Sequence, residues 1–302
     1  DYTEGVADVQ ARSLRLIGDP EQRYREDPVR MLRAARFAAK LGFTVHDETL
    51  EPMRELADLL EGVPAARLFD ECSKLFLSGH AVASLDRLVA FGLLPHLLPH
   101  TARELQCEPD GPAARLLHLG LEGTDARVHA DKSVTPTFLY AVLLYGPMLR
   151  AMQARVDAGA PESFAWSESI DEVLQGLIRR VAVPKRFTLP LKELLLLQPR
   201  FERRDGRRTL ALLSHPRFRA AYDFMLLRAD AGLVSGEIAQ WWTDIQTLDH
   251  DGRVAMVAAV PRPARPAAEE GEALPAGEGD DRPRRRRRRR RGRGGGGSGG
   301  GD

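Results

Sequence analysis

Sulfur is scarce in this sequence: Cys72 and Cys107 are the two cysteines among 302 residues. Their separation fits no metal-ligand or redox spacing and gives no sign of an oxidising compartment, so both are expected as buried, reduced thiols. Long apolar runs are missing too. The best of them, FLYAVLLYGPML, is short and interrupted by Gly146 and Pro147, whereas a membrane span needs roughly 20 apolar residues. The opening DYTEGVADVQ has neither a basic n-region nor an apolar h-region, so no signal peptide is expected. With Asp1 rather than Met in first place, the chain is expected to be a piece of something longer. There is no fixed repeat period and little β patterning. These absences leave a soluble globular chain, long enough to bury a substantial core in one large or two moderate domains.

The net charge of +1, from 44 basic and 43 acidic side chains, conceals two unlike parts. Residues 261–302 hold 12 arginines against 7 carboxylates, which leaves the first 260 residues with 32 basic and 36 acidic groups. From Pro28 to about Val260, apolar residues recur at three and four, and Gly or Pro punctuates segments of helical length. The pattern predicts helices over 28–41, 48–61, 65–78, 81–91, 113–121, 136–144, 167–181, 189–201, 207–213, 216–231 and 238–248. A strand-like run at 14–17 precedes the turn signal at Gly18, Asp19 and Pro20. The implied fold class is all-α, an irregular multi-helix assembly with a short β remnant at the N-terminus. Beyond about Pro261 the composition shifts to Pro, Ala, Glu and Gly, then to Arg284, Arg285, Arg286, Arg287, Arg288, Arg289, Arg290 and Arg291, followed by GRGGGGSGGGD. Such a segment has almost nothing to bury, and a disordered C-terminal tail is expected.

The least ordinary charge pattern is REDPVRMLRAARFAAKLGF, residues 25–43. Pro28 suits the first position of a helix, Asp27 the N-cap and Gly42 the position past its end. At about 100° per residue, Glu26, Arg30, Arg33, Arg36 and Lys40 share an arc of about 120°, while Met31, Ala34, Ala35, Ala38 and Leu41 occupy another face. Arginines near a helix N-terminus oppose its dipole, so Arg30 and Arg33 are poorly placed for helix stability alone. Two readings stay open on spacing. One is a solvated cationic face with i,i+4 ion pairs. The other is an anion or nucleotide site, in which guanidinium forks bind phosphates or base edges and Asp27 beside Arg30 offers an acceptor next to a donor pair.

The stretch LIGDPEQRYREDPVRMLRAARFAAKLGF resembles the neck motif of class II nucleotidyltransferases, the bacterial poly(A) polymerases and CCA-adding enzymes, in which Glu-Asp-x-x-Arg is followed by arginines at three-residue spacing. PAARLFDECSKLFLSGHA, DARVHADKSVTPTFLYAVLLY, VAVPKRFTLPLKELLLLQPRF and HPRFRAAYDFMLLRA are similar to the body of the polymerase branch, and so is the arginine-rich end. The resemblance implies a head remnant over 1–22, a nucleotide-selecting neck over 23–90, an RNA-binding body over 91–260 and a tail over 261–302. It implies that Asp27 and Arg30 contact an adenine edge, with Arg33 and Arg36 completing the nucleotide pocket. It further implies ATP as substrate, Mg2+ held in a catalytic head, AMP addition to RNA 3′ ends, RNA-decay helicase or ribonuclease partners, and the bacterial cytoplasm. The catalytic carboxylates of that head, on a Gly-Gly-x-x-Arg-Asp and an Asp-x-Asp pattern, are not expected in this chain. This segment alone is therefore expected to be inactive and to bind neither cofactor. A stand-alone RNA-binding or RNA-decay adaptor and a CCA-adding tRNA nucleotidyltransferase are the alternatives.

Other constellations carry less. His96 and His100 have metal-like spacing, but Pro95 and Pro99 interrupt the helix it requires and no third ligand is evident. His129 and Asp131 lack a nearby nucleophile, and a surface turn is expected there. Glu71 and Lys74 read as a helix-surface pair, and Trp241 and Trp242 as packing. Lys185 with Arg186, and Arg203 with Arg204 near Arg207 and Arg208, form two basic clusters able to track a phosphate backbone, with solvated faces as the alternative. The arginine run of the tail is a charge-driven RNA-binding element.

Overall fold

Several prolines and glycines among the described residues fall inside helices, and at Pro147 and Pro199 neighbouring side chains make that possible. The computed structural model describes residues 5–204 and 206–261. In chain order the elements are α1 (Gly5–Gln10), β1 (Ser13–Leu14), α2 (Pro20–Glu26), α3 (Val29–Leu41), β2 (Thr44–Val45), α4 (Asp47–Glu55) and a 3-10 turn (Ala57–Gly62). They continue with α5 (Ala65–Phe76), α6 (Ala81–Ala90), α7 (Leu94–Leu97), α8 (Pro99–Cys107), α9 (Pro112–His129), α10 (Pro136–Asp157) and α11 (Glu162–Val181). The last are α12 (Lys185–Glu202), α13 (Arg207–Leu213), α14 (Phe218–Asp230), α15 (Gly236–Thr247) and α16 (His250–Ala258). The all-α reading holds. The strand-like run shortens to β1, which pairs in parallel with β2, Ser13 opposite Thr44 and Leu14 opposite Val45. The expected disorder of the tail concerns residues that lie, from 262 onward, outside those described.

The centre is α10, whose residues Leu139 to Met148 are buried without a break, as in a helix hydrophobic all round. It packs against α8, α9, α11 and α12. The sequence pattern ends this helix at 144, before Gly146 and Pro147, yet it runs on to Asp157. Pro147 has no N–H to give to the carbonyl four residues back, Leu143. The Thr101 hydroxyl on α8 donates to that carbonyl instead, at 2.8 Å. The same repair recurs in α12, where Pro199 leaves Leu195 without its helical donor and the Trp166 indole of α11 supplies one at 3.1 Å. Gly146 lets α8 come close, since a Cβ there would lie 2.9 Å from Glu104 Cγ.

Helix α4 stops at Glu55, and a 3-10 turn replaces the second half of the helix expected over 48–61. Arg180, near the end of α11, ties this turn to α7: its Nε donates to the His96 carbonyl at 2.6 Å and its Nη2 to the Leu60 carbonyl at 2.8 Å. Burial holds the Arg180 guanidinium below its ordinary pKa. The expectation of two buried thiols needs correction. Cys72 lies in the core between α5 and Tyr140, and burial pushes its pKa to about 12; Cys107 ends α8 and is exposed.

Candidate functional site

The arginine helix α3 is held where it starts and where it ends. The Asp27 carbonyl accepts from the Arg30 N–H at 3.1 Å and its Oδ1 from the Val29 N–H at 3.3 Å, so Asp27 caps the helix although the helical residues begin at Val29. Gly42 closes it with φ of 64° and an N–H bond to Ala38. Val29, Met31, Leu32, Ala35, Ala38 and Ala39 are buried, which seats the helix on more than one side against α5 and α6. Leu41, placed by periodicity on the apolar face, is exposed at 49%.

Arg30 and Arg33 line one cleft of about 230 Å³ with Arg15, Leu14, Leu16, Tyr24, Ala34, Phe37 and Thr49. The ion pairs of a solvated cationic face do not form. Glu26 binds Arg23 at 2.8 Å, and among the described residues no carboxylate lies within salt-bridge reach of Arg30, Arg33 or Arg36. The Nε atoms of Arg30 and Arg36 are buried without a hydrogen-bond acceptor. A buried, unanswered guanidinium donor costs stability and marks a place where an acceptor belongs. The cleft wall is fixed by Tyr24, whose hydroxyl donates to the Thr49 carbonyl at 3.0 Å, and by the Leu16 N–H, which donates to Thr49 Oγ1 at 3.1 Å.

Two of the four neck residues do not share that cleft. Arg36 lies 4.6 Å over the Phe37 ring. Asp27 turns to α5, where Arg67 Nη2 donates to its Oδ2 at 2.8 Å. That leaves its Oδ1 on the helix cap, with one lone pair of each oxygen still open. Arg67 stands forty residues from Asp27 and gave no local signal; neither did Arg15 and Thr49, which the β1–β2 pairing brings to the cleft.

The basic clusters occupy the two ends of α12, about 27 Å apart at 1.5 Å per residue. Lys185 and Arg186 open the helix, and Arg186 lies 4.9 Å over the Phe187 ring, which stacks on Phe69 of α5 at 6.1 Å. Arg203 follows its last turn, and Arg204 lies 5.9 Å over Trp241. Trp242 is core, its indole donating to the Phe201 carbonyl at 2.7 Å. Glu71 and Lys74 bond at 2.8 Å, but Glu71 is buried rather than on the surface, and one of its oxygens has no partner. The histidines part company: His96 meets Glu61 at 3.1 Å, while His100 packs against Gly176. The expectation that Asp-x-Asp is absent needs correction, since Asp249 and Asp251 have that spacing; they start α16, where Asp249 is the cap and accepts from the Gly252 N–H at 2.8 Å. Among the described residues no group of three His, Cys, Asp or Glu side chains is placed to hold a metal, so Mg2+ has no ligand set there. No helix among them is long and apolar enough to cross a membrane. The arginines at 284–291 lie outside the described residues.

Comparison with known proteins gives the family likeness of the chain. Residues 158–292 match the family described as polymerase A arginine-rich C-terminus, and residues 42–105 the one described as probable RNA and SrmB-binding site of polymerase A. Poly(A) polymerase I of Escherichia coli O6:H1 is 38% identical over 285 residues, covering 92% of this chain and 61% of the relative. The CCA-adding enzyme of Limosilactobacillus reuteri is 40% identical over 93 residues, 31% of this chain and 23% of that enzyme. A solved tRNA nucleotidyltransferase complexed with a primer tRNA and an incoming ATP analog has a TM-score of 0.51 at 16% identity, covering 82% of this chain and 65% of that one. At that identity the likeness shows a shared fold. The chain spans about three-fifths of the length of the polymerase it matches.

Proposed function

We propose that this chain, which carries the RNA-binding and arginine-rich regions of the polymerase A family, selects ATP and holds the RNA 3′ end in a bacterial poly(A) polymerase. The observation that carries the reading is the α3 cleft, where Arg30 and Arg33 converge without carboxylate partners and a guanidinium donor of Arg30 is buried unanswered. In this reading Arg30 and Arg33 meet the nucleotide inside the cleft, Arg30 at the adenine edge. Asp27 and Arg36, which stand outside the cleft at its α5 side and over Phe37, complete the pocket at its margins, Asp27 through the lone pairs that Arg67 and the helix cap leave open. Lys185, Arg186, Arg203 and Arg204 contact the RNA backbone, and the arginines from Arg284 to Arg291 add charge-driven affinity. Transfer of AMP from ATP, with Mg2+ neutralising the phosphates, belongs to carboxylates other than those described here. The setting is the cytoplasm, and an RNA-decay helicase or ribonuclease docks on the same chain.

A CCA-adding activity is the second reading, favoured by the 93-residue likeness to that enzyme and opposed by how little of the chain it covers. The test places this segment behind a nucleotidyltransferase head and follows incorporation of ATP against CTP. Arg30→Ala and Asp27→Ala should each lower discrimination by about tenfold or more, the worth of a lost bidentate base contact. Unchanged rate and nucleotide choice in both would refute the assignment. Arrest after three added nucleotides would hand the chain to the second reading.

A further inference from the structure

A second cleft, of about 500 Å³, lies between α9, the first turn of α10 and α14, and shares no residue with the arginine cleft of α3. Its floor is apolar, from Phe138, Leu139, Leu226 and Leu227. Its two walls differ in polarity. On one, Arg127 stands beside the N-terminus of the 22-residue α10, where Thr135 accepts from the Phe138 N–H. Arg127 Nε and Nη2 donate to the Ser133 carbonyl at 3.2 and 2.9 Å, which fixes the α9–α10 connection and leaves Nη1 free. On the other wall α14 presents Asp223, already paired with Arg219 at 3.1 Å, and Asp230, which has no ion-pair partner among the described residues.

The α9 wall carries a second observation. Gly120 is required by packing, since a Cβ there would lie 2.5 Å from Val142 Cγ2. Gly123 is not: a Cβ at that position meets nothing within 4 Å. A glycine inside a helix weakens it, and this one returns nothing to the fold. It faces the open cleft, where it leaves room for a ligand to approach the helix backbone.

We propose that this cleft is a second nucleotide site, one that holds an adenosine unit of the RNA strand and not the incoming triphosphate. The volume falls in the range of small-ligand sites. The base lies on the Phe138 and leucine floor, its exocyclic amine faces Asp230, and a single phosphodiester meets Arg127 and the α10 N-terminus. With Asp223 neutralised by Arg219, the charges left over are the Arg127 guanidinium edge and Asp230, so the several charges of a triphosphate would meet Asp230 with one cation to offset them, whereas one phosphodiester charge matches one free guanidinium edge. The proposal rests on the RNA-binding reading above.

The test is fluorescence anisotropy of labelled oligo(A) and oligo(U) with the 302-residue chain at fixed salt. Gly123→Leu fills the cleft at a position with free space and better helix propensity, so the fold is retained. Leu227→Trp fills it from the other wall. Each should weaken oligo(A) about tenfold, the size of one lost base contact, and oligo(U) less. Asp230→Asn should narrow the preference for oligo(A). If both filled variants bind oligo(A) as the parent does, the cleft serves a different ligand, such as a protein segment, and the proposal is overturned while the RNA reading stands. Equal losses for both oligonucleotides overturn the adenosine assignment. If the parent chain binds neither, the RNA reading fails with it.

Discussion

Replacing Arg180 with leucine removes two hydrogen bonds that span 84 and 120 residues of sequence, to the carbonyls of His96 and Leu60. Hydrogen bonds to charged groups contribute about 1.5–3 kcal/mol each. The desolvation that lowers the Arg180 pKa offsets part of this, and leucine keeps some of the side-chain packing. The net loss should be about 2–3 kcal/mol, which for a body of this size is a fall in melting temperature of about 5–10 °C. Thermal and denaturant unfolding followed by helical circular dichroism measure it. Arg180→Lys should recover less than half, because a point charge cannot reproduce a fork reaching two carbonyls. A leucine variant within about 0.5 kcal/mol of the parent would refute the reasoning, because that is the range of an inconsequential surface change. The position matters beyond stability: Arg180 lies in the stretch that matches the model of the polymerase A arginine-rich C-terminus, and both of its acceptors lie in the stretch that matches the model of the probable RNA and SrmB-binding site. Its loss should loosen one against the other.

Gly120→Ala should cost about 1–3 kcal/mol by overpacking Val142, while Gly123→Ala, three residues on, should stabilise the same helix by up to about 1 kcal/mol. A thiol reagent at neutral pH should titrate one cysteine, Cys107, in the native chain and two in denaturant; early reaction of Cys72 would contradict its burial. Because the folded Cys72 pKa is raised from 9.0 to about 12, its contribution is fully present below pH 9 and should be lost as pH climbs toward 12, seen as falling denaturation midpoints. Deleting residues 282–302 should weaken RNA binding and flatten its salt dependence, and equal slopes with and without them would refute an RNA role for the tail.

Periodicity found the helices that bury one face and end in ordinary caps, such as α3 with Asp27 and Gly42, because those signals are local. It cut α10 short at Pro147, where the rescue comes from Thr101, over forty residues away and unmarked in the sequence. It passed over α1, α2 and α7, each shorter than two full turns, passed over α8 and α16 as well, of nine residues each, and missed β2, whose partner lies thirty-one residues back. The candidate site shows the same division. Arg30 and Arg33 were legible from their spacing, while Arg15, Thr49 and Arg67 reach Asp27 and the cleft through tertiary contacts. Leu41 was misassigned because an ideal helical wheel continues to the last residue, whereas the neighbours of α3 do not.

The smallest sheet in the molecule has an outsized mechanical consequence. Two residues on each strand, with Thr44 N–H donating to the Arg12 carbonyl and His46 N–H to the Leu14 carbonyl, both at 3.0 Å, close a loop whose contents are α2 and α3. The arginine helix is thus strung between two fixed points, like a string on a short bridge, and its roll about its own axis is set at both ends. Segments exchanged between relatives to transfer nucleotide choice should be cut outside this closure, before Arg12 and after His46. A graft of α3 alone would carry the arginines without the bridge that aims them.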